Sequence, residues 1–442
     1  MTQNPRPGRP APFRPRTAPP TPRPLADGGG DDSLAGQHGR MVPIKHEGPL
    51  PWAQLRNAIY HPNVFRKMIG RVDPAAKNGD LVRVYDRDGK VFGTGMISML
   101  GQIGLRMLTF DESAVDESIV PERLAKAVRL RRDTLGLDKV TDAYRVVHAE
   151  GDGLPGLIVD RLGACAVVEL FGFGMFRRRD EIAEELKMLL DVPEVLIRAD
   201  ERIEIAEGFQ VPGPKGATTE RGADRKSTIV TENGVRFQVD LTHGHKTGFF
   251  CDQRDNRLRL TRYTPGADML DACSYSGGFG VYAATLGKAK HVTCVDLDED
   301  AIALAKRNAN LNKVPRDQFD TVHGDAFPYL RQMIQNGKIF DVVVLDPPKL
   351  IPTRDDFAEG RAKYFDLTKW GLQAVKSGGM LVTCSCSGLV SMDEFFGIVR
   401  GAARSANRRV QVLEATGPGA DHPVMTECPE SMYLKCLWCR VF

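Results

Sequence analysis

Nothing in this sequence approaches the roughly 18 consecutive apolar residues that a membrane-spanning helix needs. The longest apolar stretches, such as residues 342–345 and 164–173, have the length of buried strands. An apolar leader core is also missing near the N-terminus, so a secreted protein is not expected and a cytoplasmic, reducing setting is. Cysteine is scarce: nine in 442 residues are too few for a disulfide framework. Any special cysteine is then a free thiol or a nucleophile. Cys436 and Cys439 have the spacing of a metal pair but no second pair at zinc spacing. They are read as part of a final strand, and no metal is expected. Charge of one sign is lacking overall, with a net charge of +3. What is present suffices for a core: 42% hydrophobic and 26% charged residues exclude a wholly disordered chain.

The length suggests two to three domains. Residues 1–41 read as a basic, proline-rich tail that cannot fold alone, with five arginines and nine prolines before Leu25. Residues 42–114 read as a small β-rich domain, in which apolar–polar alternation surrounds the Asp88-Gly89 turn. Residues 115–227 read as a mixed α/β unit and linker. Its first helix, about residues 117–135, carries Arg123, Lys126, Arg129, Arg131 and Arg132 on a basic face. Such a face is ordinarily solvated, and a phosphate-tracking role is the sharper alternative. Residues 228–442 begin with a hairpin centred on Asn233-Gly234 and continue with alternating strands and helices. This alternation argues a parallel, doubly wound sheet.

In that sheet the first strand runs into Asp271-Ala-Cys-Ser-Tyr-Ser-Gly277-Gly-Phe279. A glycine pair between strand and helix lets a ligand approach the backbone. It is not the dinucleotide fingerprint, since no G-x-G-x-x-G is present. The next two strands end at Asp296 and near Asp325. Three acids in register on the carboxyl edge of an open α/β sheet point to an adenosyl ligand. The fourth strand ends in Asp346-Pro-Pro-Lys349, where two prolines stop the strand sharply. The fifth ends in Cys384-Ser-Cys386-Ser-Gly388. Cys386 lies just past the strand end in a serine-rich turn, and a thiolate there is a candidate nucleophile. Cys384, two residues earlier, shares its strand face and is the alternative.

These stretches resemble the class I S-adenosylmethionine-dependent methyltransferases. Within them the chain is similar to the RlmI-like bacterial ribosomal RNA cytosine-carbon-5 methyltransferases. The resemblance spans about residues 42–442. It rests on Gly244-His-Lys-Thr-Gly-Phe-Phe-Cys-Asp-Gln-Arg-Asp-Asn256, residues 271–279, Asp346-Pro-Pro-Lys349 and Ser385-Cys-Ser-Gly388. Glu150-Gly-Asp-Gly-Leu-Pro-Gly156 and Asp421-His-Pro423 complete it. It implies an N-terminal PUA-like RNA-binding domain, a central mixed α/β domain and a C-terminal Rossmann-like methyltransferase domain. It also implies S-adenosyl-L-methionine as cofactor and large-subunit ribosomal RNA as partner, in a monomer or homodimer. Lys246, Thr247, Gly248, Asp252 and Arg254 would close over the cofactor. Asp271, Gly277 and Phe279 would meet its methionine part, Asp296 its ribose, and Asp325 with Ala326 its adenine. Asp346 is placed in both the cofactor and the catalytic sets. Lys349 stands where amine-methylating relatives carry an aromatic residue, which favours carbon-5 chemistry with Cys386, Asp346 and Lys349 as the catalytic group. The alternatives are methylation of another ribosomal RNA base and an RNA-binding assembly factor without catalysis.

Overall fold

The computed structural model describes residues 41–113, 115–212, 227–241 and 248–442. The readings made for the tail up to residue 40, and for Lys246 and Thr247, lie outside these residues. The first unit is a six-stranded sheet. It contains β1 (Trp52–Leu55), β2 (Asn63–Phe65), β3 (Ile69–Val72), β4 (Leu81–Tyr85), β5 (Val91–Ile97) and β6 (Ile103–Thr109), in the order β2-β6-β5-β4-β1-β3. Val82, Val84, Ile97, Leu105 and Met107 close its core.

The second unit comprises α1 (Ile119–Arg129), β7 (Ala143–His148), β8 (Leu157–Leu162), β9 (Cys165–Leu170), α2 (Phe173–Arg177), α3 (Arg179–Leu190), β10 (Glu194–Arg198) and α4 (Glu201–Glu207). Its sheet runs β10-β9-β8-β7. The basic face expected on α1 is only partly solvated: Lys126 and Arg129 are exposed, whereas Arg123, Arg131 and Arg132 turn into the unit. Arg131, in the π-helical turn after α1, is wholly buried and grips Asp152 through both Nη atoms, at 2.5 and 2.9 Å. Arg123 donates to the Gly153 and Leu108 carbonyls, and Arg132 to Asp138. These guanidiniums cap loops inside the unit, because charges that leave water must find partners.

The hairpin of β11 (Ser227–Glu232) and β12 (Val235–Asp240) turns at Asn233 and Gly234, both with positive φ, as a type I′ turn requires. Its Val230, Val235, Phe237 and Val239 share one core with Ala143, Leu162 and Val167 of the second unit and Met269, Phe279 and Tyr282 of the third. The hairpin is therefore the apolar joint between them.

The third unit follows α5 (Arg254–Leu260) with β13 (Asp268–Ala272), α6 (Gly278–Thr285), β14 (His291–Asp296), α7 (Glu299–Leu311), β15 (Phe319–His323), α8 (Ala326–Gln335) and β16 (Phe340–Leu345). It closes with α9 (Phe357–Ala374), β17 (Val375–Ser385), α10 (Met392–Ser405), β18 (Val410–Thr416) and β19 (Lys435–Val441). The sheet order is β15-β14-β13-β16-β17-β19-β18. The first five strands are parallel, but β19 is antiparallel to both its neighbours. The wholly parallel expectation is thus corrected at one edge. The α10 crossover leaves a gap one strand wide between β17 and β18, and the chain returns to fill it without a helix, which only antiparallel pairing permits. Cys436 and Cys439 fall on opposite faces of β19: Cys436 packs in the hairpin-side core and Cys439 in the other. Residues three apart in a strand cannot share a face.

A buried charge cluster locks the second unit to the third. The Asp421 carboxylate accepts both Nη atoms of Arg254 at 3.0 Å and the Arg145 amide at 3.0 Å. Its carbonyl accepts Arg131 Nη2 at 2.6 Å. Burial would raise the Asp421 carboxyl, but His422 and Arg254 hold it well below the usual carboxylate range. The first unit is tied in by His61 Nε2 against Glu430 Oε1 at 2.6 Å and by Asn63 Nδ2 donating to Glu150 Oε1 at 2.8 Å. Among the described residues no helix is long and apolar enough to cross a membrane.

His148 sits in this cluster, where burial and then Arg145, His422 and Arg131 push it from 6.5 down to about 2. The unfolded chain takes up this proton first, so the stabilisation is complete above pH 6.5 and is lost as pH falls towards 2. The slope is about 1.4 kcal/mol per pH unit for one such group. The melting temperature should therefore drop between pH 7 and pH 5, and His148→Gln should flatten that drop. An identical pH slope in the variant would assign the acid loss to other groups.

Candidate active site

The carboxyl edge of the third unit's sheet brings three acids into a row. Asp271 lies at the end of β13 beside the point where strand order reverses, and it is fully buried. Its Oδ2 accepts the Gly280 amide at 2.9 Å, and burial pushes its carboxyl up to about 8. Its Oδ1 is buried with no hydrogen-bond partner among the described residues. Such an acceptor is completed by a donor on a bound ligand. Asp296 ends β14 half-buried, with Oδ2 on the Tyr275 amide at 2.7 Å and Oδ1 on the Asp298 amide at 3.0 Å. Asp325 is exposed and caps α8 through the Phe327 amide at 2.8 Å.

The loop between β13 and α6 is bent to fit this row. Cys273 and Tyr275 both hold left-handed φ angles, 66° and 46°, which cost non-glycine residues energy. Gly277, with φ of 76°, caps α6, and a Cβ there would stand 2.9 Å from Ala305. Ser274 donates its amide to the Val295 carbonyl at 3.0 Å. The strained loop, the open Asp271 oxygen and the graded acids lie together at a strand-order switch point, where open α/β sheets bind their ligands.

Asp346 follows β16 and is half-buried; Gln253 Nε2 donates to its Oδ2 at 3.1 Å. Asn256 holds Gln253 in turn, donating to its Oε1 at 2.7 Å. Gln253 lies between two residues singled out from the sequence yet was not itself singled out. Its role as the fixed donor to Asp346 follows from packing between α5 and β16, and no spacing rule reveals it. Cys386, just beyond β17, is half-buried with Sγ 4.0 Å from the Pro347 carbonyl. The Asp346 and Cys386 loops are therefore adjacent. Lys349 is exposed at the mouth.

Cys384 is sealed in the core, although it lies close to Gln253 and Asp346. It is fully buried opposite Cys436, with which its thiol shares a hydrogen bond, and that bond and burial push the thiol well above its ordinary value. The shared strand face expected for Cys384 and Cys386 ends where β17 ends, at Ser385.

Asp252 and Arg254 have protein partners that the sequence did not show. Arg254 is 2% exposed and committed to Asp421, and Asp252 accepts the Tyr433 hydroxyl at 2.5 Å. Both belong to the interdomain cluster and anchor the segment that carries them. Gly248 has φ of 108°, and its carbonyl accepts the Tyr275 hydroxyl at 3.4 Å, so this segment does reach the crevice loop. Phe279 and Ala326 are buried in the first turns of α6 and α8. Leu297, next to Asp296, is 68% exposed on the same edge and was not foreseen. An apolar residue directly after a strand-end acid was the available signal.

Comparison with known proteins follows this geometry. A family model for S-adenosylmethionine-dependent methyltransferases matches residues 217–417, and one for PUA-like domains matches residues 60–110. Relatives named ribosomal RNA large subunit methyltransferase I include that of Escherichia coli (strain K12), 36% identical over 383 residues, or 86% of this chain and 95% of the relative. That of Alteromonas mediterranea is 37% identical over 384 residues, with the same two coverages of 86% and 95%. A solved SAM-dependent methyltransferase from Streptococcus mutans superposes with a TM-score of 0.69 at 20% identity, over 86% of this chain and 95% of its own. A structure described as a methyltransferase complexed with SAH gives a TM-score of 0.72 at 20% identity, with coverages of 86% and 95%. These two likenesses concern the fold.

Cys386 and Cys273 are the two of nine cysteines that are not fully buried, and burial followed by Asp296 pushes the Cys273 thiol well above its ordinary value. Brief alkylation of the folded protein should therefore mark Cys386 first, as read by peptide mass mapping. Labelling of Cys384 at an equal rate would contradict its placement in the core.

Proposed function

Since the chain belongs to the ribosomal RNA large subunit methyltransferase I family and carries an S-adenosylmethionine-dependent methyltransferase domain, we propose that its product is 5-methylcytosine in 23S ribosomal RNA, formed through a covalent bond from Cys386 to the base. One observation carries this reading. Cys386 is the partly accessible thiol at the strand end next to Asp346, while the neighbouring Cys384 is sealed in the core.

The chemistry follows from what these side chains can do. S-adenosylmethionine supplies an electrophilic methyl group. The Cys386 thiolate adds to cytosine carbon 6, and the displaced electron pair makes carbon 5 nucleophilic enough to take the methyl. Removal of the carbon 5 proton by a base restores the ring double bond and expels the thiolate. Asp346, held by Gln253, is placed to hydrogen-bond the base edge and keep it in register during the addition. Lys349 adds positive charge at the mouth, where the polynucleotide backbone brings negative charge.

For the cofactor, the buried Asp271 oxygen suits a cationic amino group, with Gly277 and Phe279 shaping the methionine end. Asp296 suits the ribose hydroxyls, and Asp325 with Ala326 suits the adenine edge. Leu297 suits the adenine ring with an apolar face, and Gly248 meets the β13–α6 loop through the Tyr275 hydroxyl. The domain division at residues 42–114, 115–227 and 228–442 belongs to the same reading, as does a cytoplasmic setting. A PUA-like unit pinned by His61 to Glu430 stands beside the chain that leads into β19, so it can hold RNA backbone near Cys386. The target base has to leave its stack or lie in a single strand to reach the thiol.

The test pairs unmodified 23S ribosomal RNA with labelled S-adenosylmethionine and reads the nucleosides by mass spectrometry. Labelled 5-methylcytosine is expected. Cys386→Ala should retain SAH binding and lose turnover by orders of magnitude, and RNA carrying 5-fluorocytosine should become covalently attached to the native enzyme. A different labelled nucleoside, or native turnover in the alanine variant, would overturn the assignment.

A further inference from the structure

Lys435 has no part in the chemistry described so far, yet it sits under the nucleophile. It opens β19 directly opposite Ser385, the last residue of β17. It is only 3% exposed, an environment in which lysine is rarely found unless something holds its charge. Its Nζ donates to the Ser387 carbonyl at 2.6 Å and to the Tyr433 carbonyl at 2.7 Å. Ser387 is the residue after Cys386, so one of these bonds fixes the turn that displays the thiol. Tyr433 carries the Asp252 contact, so the other bond ties that turn to the interdomain cluster. An ammonium has three donors and these carbonyls take two of them.

The groups facing this pair come from four directions. Lys349, after β16, repels the Lys435 charge, whereas Glu394 on α10 and the Cys386 thiolate both favour it. Glu394 is itself engaged by Ser391 in the capping box of α10. Tyr364 on α9 shares a hydrogen bond with Ser387 Oγ at 3.0 Å and is electrostatically coupled to Cys386. Burial, the largest influence, pushes the Lys435 ammonium down to about 8, so it is still mostly charged near neutral pH.

We propose that Lys435 is a positioning residue for Cys386: it pins the Ser385–Gly388 turn through the Ser387 carbonyl and sets a buried positive charge that favours the thiolate. Attraction between Lys435 and the Cys386 thiolate is mutual, so the charge that sustains the ammonium also sustains the nucleophile. The short bonds to backbone carbonyls hold that charge in place. The idea rests on Cys386 being the nucleophile, but its effect on the thiol can be measured without any RNA.

The experiment follows the rate of Cys386 alkylation by iodoacetamide against pH in the full-length protein, resolved by peptide mass mapping. In the wild-type protein the midpoint should lie below the ordinary cysteine value of about 8.5. Lys435→Met should raise it by about one pH unit, which makes alkylation at pH 7 about tenfold slower. Lys435→Arg, which keeps the charge, should restore most of the shift. Melting temperature and SAH binding report whether each variant is folded. A wild-type midpoint at or above 8.5 overturns the proposal even if no variant folds. A folded Lys435→Met protein that alkylates more slowly with an unmoved midpoint leaves Lys435 a structural tie only, and also overturns it. A shifted midpoint in an enzyme that forms no 5-methylcytosine would uphold the role of Lys435 and reject the assigned reaction.

Discussion

The buried Asp421 carboxylate is the interaction on which the arrangement of this molecule depends. Its oxygens accept two guanidinium bonds from Arg254 and the backbone amide of Arg145, and its carbonyl takes Arg131. Arg131 and Arg145 belong to the second unit, Asp421 and Arg254 to the third. Removing such ions from water costs several kcal/mol each unless every lone pair and proton is met. The cluster is satisfied only in one relative placement of the two units, so it selects that placement more sharply than apolar packing does. Asp152, bound twice by Arg131, and Asp160, bound by Arg145 Nε at 2.6 Å, extend it into the second unit.

That constraint reaches the site through short covalent paths. Arg254 is adjacent to Gln253, and Gln253 holds Asp346. Tyr433 bonds Asp252 through its hydroxyl and Lys435 through its carbonyl, and Lys435 bonds the turn that carries Cys386. Asp346 and the turn that carries Cys386 are therefore both linked to the interdomain cluster through a few bonded residues. Side chains held this way lose little freedom on meeting a ligand, which is where much of an enzyme's advantage arises. The hairpin adds its own lock, since buried Glu232 pairs with Arg257 at 2.8 Å and accepts the Tyr282 hydroxyl.

The cofactor side follows another principle. Asp271, Asp296 and Asp325 go from buried to half-buried to exposed along one sheet edge. The innermost, Asp271, lacks water to stabilise its charge, and burial pushes its carboxyl up to about 8. One residue type thus offers three different environments to one elongated ligand.

Much of this was legible in the sequence. Strands ending in Asp271, Asp296 and Asp346, the hairpin at Asn233-Gly234, and a thiol just past a strand end are local features, because strand periodicity and turn chemistry act over a few residues. The motifs at residues 150–156 and 421–423 were visible as well, but their purpose was not. Gly151 lies against the Pro423 carbonyl, and Arg131 joins Asp152 to Asp421, across 290 residues of chain. Arg131 read as part of a solvated basic face, and the partners of Asp252 and Arg254 went unseen, because composition shows a charge and not its partner. The antiparallel return of β19, the sealing of Cys384 and the place of Lys435 opposite Ser385 were decided by tertiary structure alone. Each depends on which distant segment fills a gap in the sheet, and that choice is set by packing and by satisfying buried charge, which no local pattern encodes.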